Sequence, residues 1–157
     1  MRRWQLALGV ALVAVAVLAV AGTVGAQGGG ERALFGVLSG AKEVDESGDP
    51  GAGDANGRGS FSATLDGRTL CYGIQVKNIG DPIAAHIHRG GRRTAGPVVQ
   101  TLVHPESGDP GASSDCVRLS RGLAGDLRAR PGGHYVNVHN VAFGAGAVRG
   151  QLFARAR

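Results

Sequence analysis

The chain has 157 residues, enough for one domain and short of two. Its formal charge is +5, and aromatic residues make up only 4% of it. Nucleic-acid recognition asks for a basic stripe interleaved with aromatics, so the composition argues against that class of partner.

Residues 1–26 read as a secretory signal peptide. Arg2 and Arg3 open it, residues 6–21 are apolar apart from Gly9, and small residues lead up to Ala26. Cleavage is expected after Ala26, with Ala21 as the other candidate site. Retention as a membrane anchor is the alternative, and the only route to a membrane. The basic start stays inside in either case, so the remainder is expected to be secreted or held at the cell surface. Loss of Arg2 and Arg3 lowers the formal charge to about +3. Residues 27–32 are a glycine-rich tether, and residues 33–155 are one β domain.

Residues 33–39 make a first strand with Leu34, Gly36 and Leu38 on one side. Residues 40–59 are rich in Gly, Asp, Ser and Pro and read as a long surface loop. Residues 60–65 alternate Phe61, Ala63 and Leu65 against Ser60, Ser62 and Thr64. Asp66-Gly67 is a turn signal, and residues 69–79 return with Leu70, Tyr72, Ile74 and Val76 on one face. After Gly80-Asp81-Pro82, residues 83–89 place Ile83, Ala85 and Ile87 opposite Ala84, His86 and His88. Residues 90–96 form a basic glycine loop, and residues 97–103 form a strand that begins at a proline. Residues 104–115 read as a second loop, with residues 116–119 short and extended. In residues 120–130, Ser120 is a candidate cap, and Leu123 and Leu127 lie at helical spacing. Pro131-Gly132-Gly133 then leads into a hairpin over residues 134–152. There His134, Val136 and Val138 oppose Tyr135, Asn137 and His139, while Val148, Gly150 and Leu152 oppose Arg149, Gln151 and Phe153. The sum is an all-β fold, an antiparallel Greek-key-like sandwich or barrel of about eight strands with one short helical segment.

Two cysteines, Cys71 and Cys116, remain in an exported domain, so a disulfide between them is expected. The heptad ESGDPGA of residues 46–52 recurs at 106–112, within the two turn-rich stretches. It reads either as two loops of like shape or as coincidence.

His86-Ile87-His88 is the sharpest chemical signal. Two histidines two apart on a strand point the same way, and His139 shares the non-core face of its own strand. If the strands are neighbours, three imidazoles converge, a set suited to copper or zinc with one position open. Tyr135, Asn137, Arg149 and Gln151 would then lie behind the ligands. The plainer reading of the same residues is a polar network that pins strand register. No serine sits in a nucleophile elbow and no glycine loop leads from a strand into a helix, so hydrolytic and phosphate chemistry lack support.

The motifs AHIHRG (85–90), GPVV (96–99), YVNVH (135–139) and GAVRGQL (146–152) occur together and in this order. With LSGAKEV at 38–44, they resemble the CHRD domain, named from the extracellular protein chordin and found also in exported microbial proteins. The resemblance spans residues 33–154. It departs at residues 45–54, where a proline-containing stretch is common, and at Phe143-Gly144-Ala145, where Phe-Pro is common. It implies an extracellular, β-rich, non-catalytic binding or structural module, whose partner would be an extracellular protein or a cell-envelope ligand. The histidine strand is also similar, more distantly, to the copper strand of Cu/Zn superoxide dismutases. That likeness keeps a copper- or zinc-binding protein using His86, His88 and His139 as the alternative.

Overall fold

The computed structural model describes residues 30–155. The expected signal peptide and the first residues of the tether lie outside them. Eight strands form one antiparallel sheet: β1 (Arg32–Ser39), β2 (Arg58–Asp66), β3 (Thr69–Lys77), β4 (Pro82–Arg89), β5 (Val98–Leu102), β6 (Gly111–Arg118), β7 (His134–Asn140) and β8 (Val148–Gln151). Their spatial order is β5-β4-β7-β8-β1-β2-β3-β6. The two edge strands, β5 and β6, are consecutive in the chain and meet across a seam. There the Val103 amide donates to the Tyr72 hydroxyl at 2.7 Å, and the Ser113 hydroxyl donates to the Val103 carbonyl at 2.8 Å. Side chains, rather than a backbone ladder, nearly close the sheet into a barrel.

The interior is filled from alternate positions of each strand. Leu34 and Leu38 on β1, Phe61 and Leu65 on β2, and Leu70 and Ile74 on β3 are fully buried. Ala85, Ile87, Val136, Val138 and Val148 complete the lining from β4, β7 and β8. One helix, α1 (Arg121–Ala129), adds Leu123, Ala124 and Leu127. Ser120 caps it, accepting the Leu123 amide at 3.1 Å. The Arg128 guanidinium reaches the Gly67 carbonyl at 2.9 Å, which ties the helix to the β2–β3 turn.

The β2–β3 and β7–β8 hairpins stand where the alternation puts them. The first turns one residue later than the Asp-Gly signal. Asp66 still pairs with Thr69, so Gly67 and Arg68 make the loop, and Gly67 supplies the positive φ of +53° that a tight hairpin requires. At three places the structure departs from expectation, and at a fourth it decides between two readings. Strand β6 begins at Gly111, inside what reads as loop. Its sequence GASSDCVR has no apolar alternation because it is an edge strand with little covered on either side. Ile83 is exposed rather than inward, because a bulge between Pro82 and Ala84 leaves it outside the pairing with β7. The two ESGDPGA copies differ in shape. The first is a loop with positive φ at Gly48 and Gly51, while the second runs into β6. Finally, residues 40–57 are not a plain surface loop. They fold over the sheet and bury Glu43 and Val44.

Cys71 and Cys116 face each other directly in the β3–β6 register and form the expected disulfide. Among the described residues, no helix is long and apolar enough to cross a membrane.

Candidate functional site

The site is a consequence of register. In antiparallel strands, residues directly opposite one another share a face. Strand β7 runs between β4 and β8, so His86 faces Asn137, which faces Arg149. In the next row His88 faces Tyr135, which faces Gln151. His139 stands opposite Ala84, two pairs from His86 and Asn137 on the side away from His88. All seven side chains therefore lie on the outer face of three adjacent strands, as the alternation requires.

That face is not a surface. Arg149 and Asn137 are each 1% exposed, and every residue of β7 is buried. Three loops roof it: residues 40–57, 90–97 and 141–147. A buried polar face needs partners for each group, and the roof supplies them as backbone carbonyls. Arg149 donates to the Gly91 and Thr94 carbonyls at 2.6 and 3.1 Å, and its guanidinium carbon lies 3.4 Å above the Tyr135 ring. On the other side of Tyr135 the His88 ring stacks at 4.8 Å. The Tyr135 hydroxyl accepts the Gly96 amide at 3.0 Å. Gln151 donates through its amide nitrogen to the Gly90, Gly132 and His134 carbonyls, all within 2.9 Å. This half of the face is a hydrogen-bonded polar network whose bonds run to the roof.

Glu43 belongs to the same network and was not among the sequence candidates. Its carboxylate is 3.7 Å from Arg149 Nη1, with both side chains buried. Burial pushes its pKa up, and the Val44 amide and the Arg149 charge pull it back. The only sequence signal for it is its place in LSGAKEV, because a glutamate in a polar stretch otherwise reads as solvated. Gly146 makes room for it. With φ at +144°, this residue lies so close to Glu43 that a Cβ would collide with its carboxylate and crowd the Asn137 amide.

The histidines form the other half. One ligand atom from each of His86, His88 and His139 lies within 4.8 Å of the others. His88 Nδ1 is 2.8 Å from the Gly96 carbonyl, and His139 Nδ1 is 2.9 Å from the Gly144 carbonyl. A carbonyl only accepts, so each Nδ1 carries the proton and each Nε2 is left as a bare lone pair. His88 Nε2 has no hydrogen-bond partner although the residue is only 8% exposed. His139 Nε2 is 3.0 Å from His86 Nδ1 and 3.0 Å from Asn137 Oδ1. Two bare nitrogens and an amide oxygen thus crowd together with one ring N–H, that of His86, to serve them. That surplus of acceptors suits a cation. The sequence candidates divide accordingly: His86, His88 and His139 converge with Asn137, whereas Tyr135, Arg149 and Gln151 anchor the roof.

Burial pushes the imidazoles of His86, His88 and His139 below their ordinary pKa, and it does the same to His134. The folded state thus holds neutral rings that the unfolded chain would protonate. Stability from this source is complete above about pH 6.5, the unfolded value, and falls as pH drops below it. Glu43, with its raised pKa, pushes the other way. The four rings outnumber it, so the metal-free protein is expected to melt at progressively lower temperature below about pH 6.5. Thermal scans across this range check it, and a melting temperature unchanged between about pH 7 and 5 would contradict the burial argument.

Comparison with known families gives one match, to the CHRD domain over residues 34–152. No curated protein and no solved structure matches the chain. The matched span runs from β1 past the end of β8 and contains every residue of the roofed face, from Glu43 to Gln151. The chain belongs to the CHRD domain family.

Proposed function

We propose that this is an exported, non-catalytic binding module, and that its histidine cluster holds a transition-metal ion. One observation carries the reading. His88 and His139 are oriented by backbone carbonyls at Nδ1, which leaves bare Nε2 atoms beside His86. Metal-binding histidines are oriented in this way, with the far ring nitrogen tied to a carbonyl or carboxylate. Three imidazoles, neutral at pH 7, suit copper(II) or zinc(II) with a fourth position open, and copper is expected to bind more tightly. Export to an oxidising compartment accords with the Cys71–Cys116 disulfide.

The register-pinning reading is supported by Arg149, Tyr135 and Gln151, whose bonds all go to the roof. It accounts less well for a buried His88 Nε2 with no partner. The two readings separate at His86, which is partly exposed and whose ring is bonded to His139 rather than to the roof. Titration of the purified protein with Cu(II) and with Zn(II) is expected to show one equivalent bound. His86→Ala is expected to weaken binding by at least about tenfold while leaving the metal-free melting temperature nearly unchanged. His86→Ala/His88→Ala is expected to abolish tight binding. A protein that takes up neither ion stoichiometrically, or binds equally well without His86 and His88, is not a metal-binding module.

A further inference from the structure

A second feature lies beside the histidine cluster and does not depend on it. Above β1 and β8, the loops of residues 40–57 and 90–97 leave a groove of about 390 Å³ between them. One wall is apolar, built from Val37, Pro50 and Phe153, with Val37 and Phe153 substantially exposed. The other is cationic, built from Lys42, Arg92 and Arg93. Arg149 and Gln151 form the floor.

No acidic residue lines this groove. Among the described residues the ion pairs join Asp126 to Arg89 and Arg130, and Glu43 to Arg149; none involves Lys42, Arg92 or Arg93. Burial, and then the neighbouring Arg92 charge, push the Lys42 ammonium below its ordinary pKa. The floor is also incompletely satisfied. Gln151 Oε1 has no donor, and Nη1 of Arg149, a residue 1% exposed, has only the 3.7 Å ion pair to Glu43 and no closer hydrogen bond. Crowded cations without carboxylates of their own, a Gln151 oxygen without a donor and an apolar wall ask for one kind of occupant. It carries a negative charge at one end and an apolar body at the other.

We propose that this groove is a binding site for a small organic carboxylate. Guanidinium groups match the planar carboxylate better than they match a point charge. The volume is at the lower end of the range for small-molecule sites, which fits a short aliphatic or aromatic acid. The apolar wall contributes affinity that a bare inorganic anion cannot use.

The test uses the purified, metal-free protein with hexanoate and phenylacetate as probes. Controls are 1-hexanol and 2-phenylethanol, which keep the apolar body, and inorganic phosphate, which keeps only charge. The acids are expected to bind saturably at about 1 mM or tighter, with each control at least about tenfold weaker. Amide shifts are expected at Lys42, Arg92 and Phe153. Arg92→Glu/Arg93→Glu, on an exposed loop, is expected to lose at least about tenfold in acid affinity at an unchanged melting temperature. His86→Ala/His88→Ala is expected to bind the acids as before, so this site stands or falls apart from the metal site. Failure of both acids to saturate, phosphate binding as tightly as either acid, or equal affinity in the Arg92/Arg93 variant would each overturn the proposal.

Discussion

Arg149→Ala is expected to destabilise the domain by about 3–5 kcal/mol, the range for removing one partner of a buried ion pair. The substitution leaves the Glu43 carboxylate buried without its counter-charge. It also removes the guanidinium bonds to the Gly91 and Thr94 carbonyls, of which Gly91 keeps the Thr94 amide, and takes the cation from the Tyr135 ring. For a domain of this size the melting temperature should fall by roughly 10–20 °C. The cause can be isolated. Glu43→Gln/Arg149→Met removes both charges and keeps most of the volume, so it should cost less than Arg149→Ala alone. Urea denaturation of the single and double variants measures the difference. A double variant as unstable as the single one would show that the carbonyl bonds, rather than the orphaned carboxylate, dominate the loss.

Opening the Cys71–Cys116 disulfide is expected to cost about 4 kcal/mol by loop-closure entropy, since the bridge spans 45 residues of sequence. Both cysteines are exposed on the outer face of an established β3–β6 ladder, so Cys71→Ser/Cys116→Ser opens no core cavity. The effect should therefore come almost wholly from the freed unfolded chain. It should appear as a lower denaturation midpoint with the β3–β6 pairing retained. Edge strand β6 should show the largest gain in amide exchange, because its burial is slight and the bridge covalently pins it to the sheet. A loss below about 1 kcal/mol would mean that the reduced unfolded chain already holds these strands together.

The two predictions rest on features of differing legibility. The disulfide was readable from two cysteines in a chain whose start reads as an export signal, because there is one way to pair two. The glutamate–arginine pair was not. Arg149 was visible as a polar residue on a valine-bearing strand, but its partner lies 106 positions earlier in a stretch whose composition reads as solvated loop. Composition reports the chance of burial in isolation. It cannot report that a loop is laid over a polar face and supplies that face with carbonyls. The same gap explains β6. Its residues carry no pattern because an edge strand has little to bury, and its place is set by pairing with β3.

The repeated heptad isolates the point. ESGDPGA is one peptide, yet its first copy forms a loop with positive φ at Gly48 and Gly51 while its second feeds into a strand. Local sequence alone therefore does not choose between these shapes. For most of the chain, in contrast, local sequence was enough. Period-two alternation fixes which side chains of β1, β2, β3, β7 and β8 face the core, because a one-residue slip would expose a whole hydrophobic set. That same alternation places His86, His88, Tyr135, Asn137, His139, Arg149 and Gln151 on the faces opposite the core. Only the tertiary structure decided that β7 lies between β4 and β8, which brings those faces together. It alone decided that three loops roof them, leaving the buried His88 Nε2 without a partner. The physical reason is range: alternation acts between residues two apart, whereas strand order and loop cover depend on contacts across the chain.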